Sequence, residues 1–94
     1  ENEPLLIEDM KANLEKIVPS AIVYNHDNFE IRTVNMCVGE CANGQAHCKA
    51  LYLPSNLTLN LVEGELQFGG WQRIMFIELD RARPRKIQVL LLGE

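Results

Sequence analysis

Near the start of the chain, apolar residues recur every four positions: Leu6, Met10, Leu14 and Val18, with Ile7 and Ile17 widening the stripe. This spacing puts them on one face of a helix and predicts an amphipathic helix over residues 3–18. Asn2 can cap the first turn. Pro4 is tolerated there because its missing N–H has no intrahelical partner, Glu8 and Asp9 sit near the positive end, and Pro19 stops the helix. From Ser20 to Cys48 the pattern weakens. Tyr24-Asn25-His26-Asp27-Asn28 is a polar cluster in which Asp27 or Asn28 can start an Asx turn, and Phe29 to Arg32 alternates like a short strand.

The rest of the chain alternates with a period of two. A short strand is expected from Ala50 to Leu53, ending at Pro54, and a half-buried one through Leu57, Leu59 and Leu61. Glu63-Gly64 turns the chain, Leu66 and Phe68 resume the alternation, and Gly69-Gly70 supplies a bend. A long strand follows from Trp71 to Asp80, the tip Arg81-Ala82-Arg83-Pro84 reverses it, and Arg85 to Leu92 returns. That last strand is apolar on both faces, which fits contact with a second layer or a neighbouring subunit. Trp71 reads as core, with Gln72 pointing the opposite way. The fold class expected is α+β: an antiparallel β-sandwich, jelly-roll-like, carrying an N-terminal amphipathic helix, with residues 1–94 as a single domain.

A hydrophobic content of 47% is that of a folded chain, and no apolar run reaches the length of a membrane span, so no membrane partner is expected. Charge is uneven. Residues 1–72 hold four basic and ten acidic groups, a net of −6, while residues 73–94 hold five basic and three acidic, a net of +2. An acidic body with one basic tip argues against nucleic acid, which needs an extended positive face, and leaves room for one phosphate or carboxylate. The tip itself (Arg81, Arg83, Arg85 and Lys86) is most simply a solvated turn. Cys37, Cys41 and Cys48 are odd in number and match no zinc-ribbon spacing; reduced thiols in a cytoplasmic protein account for them, with a zinc set of Cys37, Cys41, His47 and Cys48 as the alternative.

The chemistry-bearing stretch is Asn43-Gly44-Gln45-Ala46-His47-Cys48-Lys49-Ala50, read as a turn that presents a His at the mouth of a sheet. His26 lies in the same polar connection, and the two are the chain's only histidines. Imidazole changes charge near neutrality, so the pair can shuttle a proton, hold a phosphate or ligate a metal. Asn43, Lys49 and Gln72 are candidate ligand-binding residues.

Taken together the segments resemble the YjbQ-type family, often labelled secondary thiamine-phosphate synthases. The resemblance rests on Asn2-Glu3-Pro4, on His26 after a Tyr, on Asn43-Gly44-x-Ala46-His47-x-Lys49-Ala50, on Glu65-Leu66-x-x-Gly69-x-Trp71-Gln72, and on Glu78-Leu79-Asp80 before the Arg-rich tip. It implies a homotrimer with sites near subunit boundaries and a weak transferase activity that joins a pyrimidine diphosphate to a thiazole phosphate. His47 and His26 would be the catalytic groups, a divalent metal (zinc or magnesium, on His26 and His47) the cofactor, and a small phosphorylated molecule the ligand. The alternative is a non-catalytic trimer that binds a metal or a small phosphate. Gln45 stands where many relatives carry another His, and the family's His-Thr-Thr-Ala motif precedes the helix start. The chain is therefore expected to be the C-terminal portion of the domain, lacking its N-terminal strands.

Overall fold

The computed structural model describes residues 1–94. The chain is mixed helix and sheet, with two α-helices and one two-stranded antiparallel sheet. Helix α1 spans Pro4–Ile17. Its cap is Glu3, not Asn2: the Glu3 carboxylate accepts the N–H of Leu5 at 2.9 Å and of Leu6 at 2.7 Å. An acidic side chain at the positive end satisfies two orphan donors at once, which a carboxamide at Asn2 cannot reach. Glu8 and Asp9 fall beyond the first turn, which holds no acidic residue. The Val18 N–H closes the helix on the Leu14 carbonyl at 2.9 Å, and Pro19 prevents a further turn.

The middle of the chain makes a 3-10 turn at Asn25–Asp27 and then helix α2, Gly44–Ala50. The segment read as a turn before a sheet is thus the start of a helix, and the strand expected over residues 50–53 is instead the turn that ends it. Leu51, Tyr52 and Leu53 N–H groups bond back to the Cys48, Lys49 and Ala50 carbonyls. Phe29 to Arg32 also turns, with Ile31 and Arg32 N–H both on the Asn28 carbonyl. The Asn28 side chain accepts from the Glu30 N–H at 3.2 Å, as an Asx turn requires.

Strands β1 (Leu61–Val62) and β2 (Glu65–Leu66) pair with Leu61 opposite Leu66 and Val62 opposite Glu65. The link is Glu63-Gly64, at φ 50° and 80°. Two successive positive φ values define the hairpin turn that matches strand twist, and Gly carries one of them without strain. Residues 71–80 and 85–92, read as strands, lie outside the sheet. Their alternation is that of strands, but no neighbouring backbone pairs with them. Trp71, read as core, is 75% exposed, and Leu57, Leu59 and Leu61 are all exposed. Val18, Gly44, Ala46 and Lys49 are the buried residues. They lie at the end of α1 and along α2, where α2 packs on the 3-10 turn and Lys49 reaches back to α1. No helix is long and apolar enough to cross a membrane.

Candidate functional site

The site is built where the 3-10 turn meets α2. Asn43 is the helix N-cap by backbone geometry, but its side chain makes no capping bond. The cap comes from across the fold: one oxygen of Asp27 accepts the N–H of Asn43 at 3.0 Å and of Gly44 at 2.9 Å. Glycine at 44 is what permits this approach, since a Cβ there would sit 2.7 Å from Tyr24 Cβ. Tyr24 is in turn fixed by its hydroxyl, which donates to the Pro19 carbonyl. The turn carrying His26 and the helix carrying His47 are therefore joined by Asp27, the residue next to His26.

The consequence is that the two imidazoles meet. Their ring centroids are 4.7 Å apart and the planes cross at 67°, an edge-to-face contact. His47 is exposed, one helical turn in from Asn43; His26 is half-buried. His26 Nε2 is shut off from solvent with no hydrogen-bond partner, and its nearest acidic atom is Glu40 Oε1 at 3.9 Å. Glu40 is fixed independently: it accepts from the Arg32 guanidinium and from the Cys37 N–H. The Arg32 hydrogen bond, chiefly, holds the Glu40 carboxyl below the usual carboxylate range.

In front of His47 lies a cleft of about 270 Å³. Asn43, Ala46, His47 and Ala50 of α2 form one wall, and Ile77 to Asp80 with Arg83 and Arg85 form the other. Asn43 ties the walls together by donating from Nδ2 to Asp80 Oδ2 at 3.3 Å, and Gln45 Nε2 donates to the Leu79 carbonyl at 3.4 Å. Arg83 Nη2 donates to Asp80 at 2.9 Å, and Arg85 donates through Nε and Nη2 to Glu78 Oε1 at 2.7 and 2.6 Å. The Arg85 hydrogen bond is the main cause that lowers the Glu78 carboxyl from its ordinary range.

Of the residues singled out from sequence, His26, His47 and Asn43 come together. Lys49 goes elsewhere. Its ammonium is buried under α1, 2.8 Å from Glu15 Oε2 and 2.9 Å from Ser20 Oγ, where it locks α2 to the end of α1. Gln72 turns back on its own bend and accepts the Gly69 N–H at 2.6 Å, outside the cleft wall. Asp27, Glu40, Arg83 and Arg85 were not singled out, or only as turn and surface residues. Asp27 has a sequence signal, an Asx-turn former beside a His, whereas Glu40 has none.

As a metal centre the arrangement is incomplete. Catalytic zinc takes three protein ligands and magnesium an octahedron of oxygens. No group of three or more His, Cys, Asp or Glu side chains is placed to hold an ion. The cysteines are all free, and Cys41 Sγ accepts from Arg81 Nη1 at 2.9 Å instead of joining Cys37, His47 and Cys48. Residues 1–94 offer an ion the two imidazole nitrogens of His26 and His47, ligands of the wrong kind for magnesium.

Residues 1–94 match the family model described as UPF0047 protein YjbQ-like. A UPF0047 protein of Archaeoglobus fulgidus is 35% identical over 92 residues, covering 98% of this chain and 64% of the relative. One of Methanothermobacter thermautotrophicus is 32% identical over 94 residues, covering 100% of this chain and 58% of the relative. The chain thus spans about three-fifths of the length of these relatives. No solved structure matches it.

Proposed function

The chain belongs to the YjbQ-like UPF0047 family, and from that footing we propose that His26 and His47 act together on a small phosphorylated ligand, as a weak thiamine-phosphate synthase. In that reaction the thiazole nitrogen attacks the methylene carbon of the pyrimidine diphosphate. A C–N bond forms, the C–O bond to diphosphate breaks, and the diphosphate leaves with the electron pair. Charge builds on the departing oxygen, so a group that donates a hydrogen bond or proton there lowers the barrier. His47 is the donor, because it is exposed on the cleft wall. His26, edge-on to it and beside Glu40, orients that imidazole.

The observation that carries this reading is the 4.7 Å approach of the two rings, which come from segments 21 positions apart and serve no core. The test is thiamine-phosphate formation by the full-length protein and its His47→Ala variant, with Val18→Ala as the control. Loss of the acid group should cost about 10²–10⁴-fold in rate with the melting temperature unchanged. Val18 is 6% exposed, so its truncation should lower stability by about 1–3 kcal/mol and spare the activity of folded molecules. A stable, fully active His47→Ala protein sinks the reading.

A second reading, a binding protein that holds a small phosphate without turning it over, is favoured by one feature: the chain has no Asp-Asp-x-x-Asp motif of the kind that binds magnesium diphosphates. Saturable phosphate binding with no product would select it. Under either reading the protein works as a cytoplasmic homotrimer. Residues 71–80 and 85–92 serve as strands of a β-sandwich completed in the assembly, which would cover Ile87, Val89 and Leu91, at present 71%, 82% and 77% exposed.

A further inference from the structure

Resting on the reading of the cleft as a phosphate-ligand site, we propose that Arg83 and Arg85 form its anion subsite and grip the diphosphate end of the ligand. The sequence pattern makes these two residues part of a solvated tip, but their placement differs from that of the neighbouring cations. Arg81 is spent on the Cys41 thiol, and Arg73 bonds the Gly70 and Gln72 carbonyls of its own turn. Arg83 and Arg85 alone among the arginines line the cleft that also holds His47.

Their carboxylate partners position them without exhausting them. Asp80 and Glu78 side chains are 13% and 27% exposed, while those of Arg83 and Arg85 are 42% and 39% exposed. The guanidinium heads are the more exposed members of each pair, and all four side chains border the cleft. A guanidinium has five N–H donors. Arg83 uses only Nη2 and Arg85 only Nε and Nη2, both on one Glu78 oxygen, so Nη1 of each and Nε of Arg83 remain free for a ligand. Arginine held in one orientation loses little entropy on binding, and its planar fork matches two phosphate oxygens. A diphosphate carries acceptor oxygens on two phosphoryl groups, enough to take N–H donors from both arginines at once, which a smaller anion cannot.

The experiment is calorimetric titration of inorganic pyrophosphate into the full-length protein, compared with Arg83→Gln, Arg85→Gln, the double variant and Arg85→Lys. Each Gln variant should bind roughly 10- to 100-fold more weakly, the double variant more weakly still, and the Lys variant should recover only part of the loss. In the wild-type protein, pyrophosphate should also protect Arg83 and Arg85 from phenylglyoxal, read by peptide mass spectrometry, a measurement that holds should a variant fail to fold. Wild-type affinity in a folded double variant, absence of protection, or no pyrophosphate binding by the wild type overturns the subsite. Arg-dependent binding without any thiamine-phosphate formation refutes the synthase reading and leaves the subsite standing. His47-dependent turnover whose KM ignores both arginines does the reverse.

Discussion

At the scale of single residues, the site depends on Asp27 and Gly44, which join the turn to the helix. One carboxylate oxygen takes two backbone N–H groups at the start of α2, and the helix then delivers His47 to His26. Asp27→Ala should cost about 0.5–2 kcal/mol by loss of the cap and lower activity further by separating the imidazoles. Asp27→Asn, which keeps an acceptor oxygen, should be milder on both counts, as chemical denaturation and turnover would show. Gly44→Ala should destabilise by about 1–3 kcal/mol, because its Cβ would meet Tyr24 at 2.7 Å. Equal stability in the Ala variant would mean the turn and helix are not packed as described. The histidines and Asn43 could be read from sequence because residue type announces them. Glu40 could not, since nothing local links it to a His 14 positions earlier.

Between elements, the joint of α1 and α2 is the ion pair of Glu15 and Lys49. The Lys49 hydrogen bond first, then the Ser20 N–H and hydroxyl, lower the Glu15 carboxyl from 4.5 to about 2. A carboxyl lowered on folding contributes stability that is present above its unfolded value and lost as the pH falls through the folded one. Thermal melts should therefore show stability declining from about pH 4.5 to pH 2. Glu15→Gln should flatten that decline in part, because Glu40 and Glu78 are lowered too and contribute in the same direction. An unchanged pH profile in the variant would remove the ion pair from the account. Helix α1 was legible because fourteen residues repeat a stripe and Pro19 ends it. Helix α2 was not. Seven residues opening on Gly after an Asn look like a turn, and what makes them helical is a cap from Asp27 and a buried lysine, both set by distant partners.

Over the whole molecule, the described chain is extended. Its radius of gyration is 17.5 Å, against about 12 Å for a compact domain of this length. It makes 30 backbone hydrogen bonds, where roughly 60 would be usual. The alternation in residues 71–80 and 85–92 is that of strands, but neither segment is a strand here, because a strand needs a second backbone and sequence periodicity cannot name it. The proposed homotrimer would cover such apolar faces, so light scattering of the full-length protein at micromolar concentration should give a trimer mass, and a monomer mass there would contradict it. The decisive question is whether the two imidazoles work as one unit. A double-mutant cycle on kcat/KM for thiamine-phosphate formation, with His26→Ala, His47→Ala and the pair, answers it directly. The double variant should lose no more than about the larger single loss, since groups acting together fail together. Losses that simply multiply would show two independent histidines and contradict the site described.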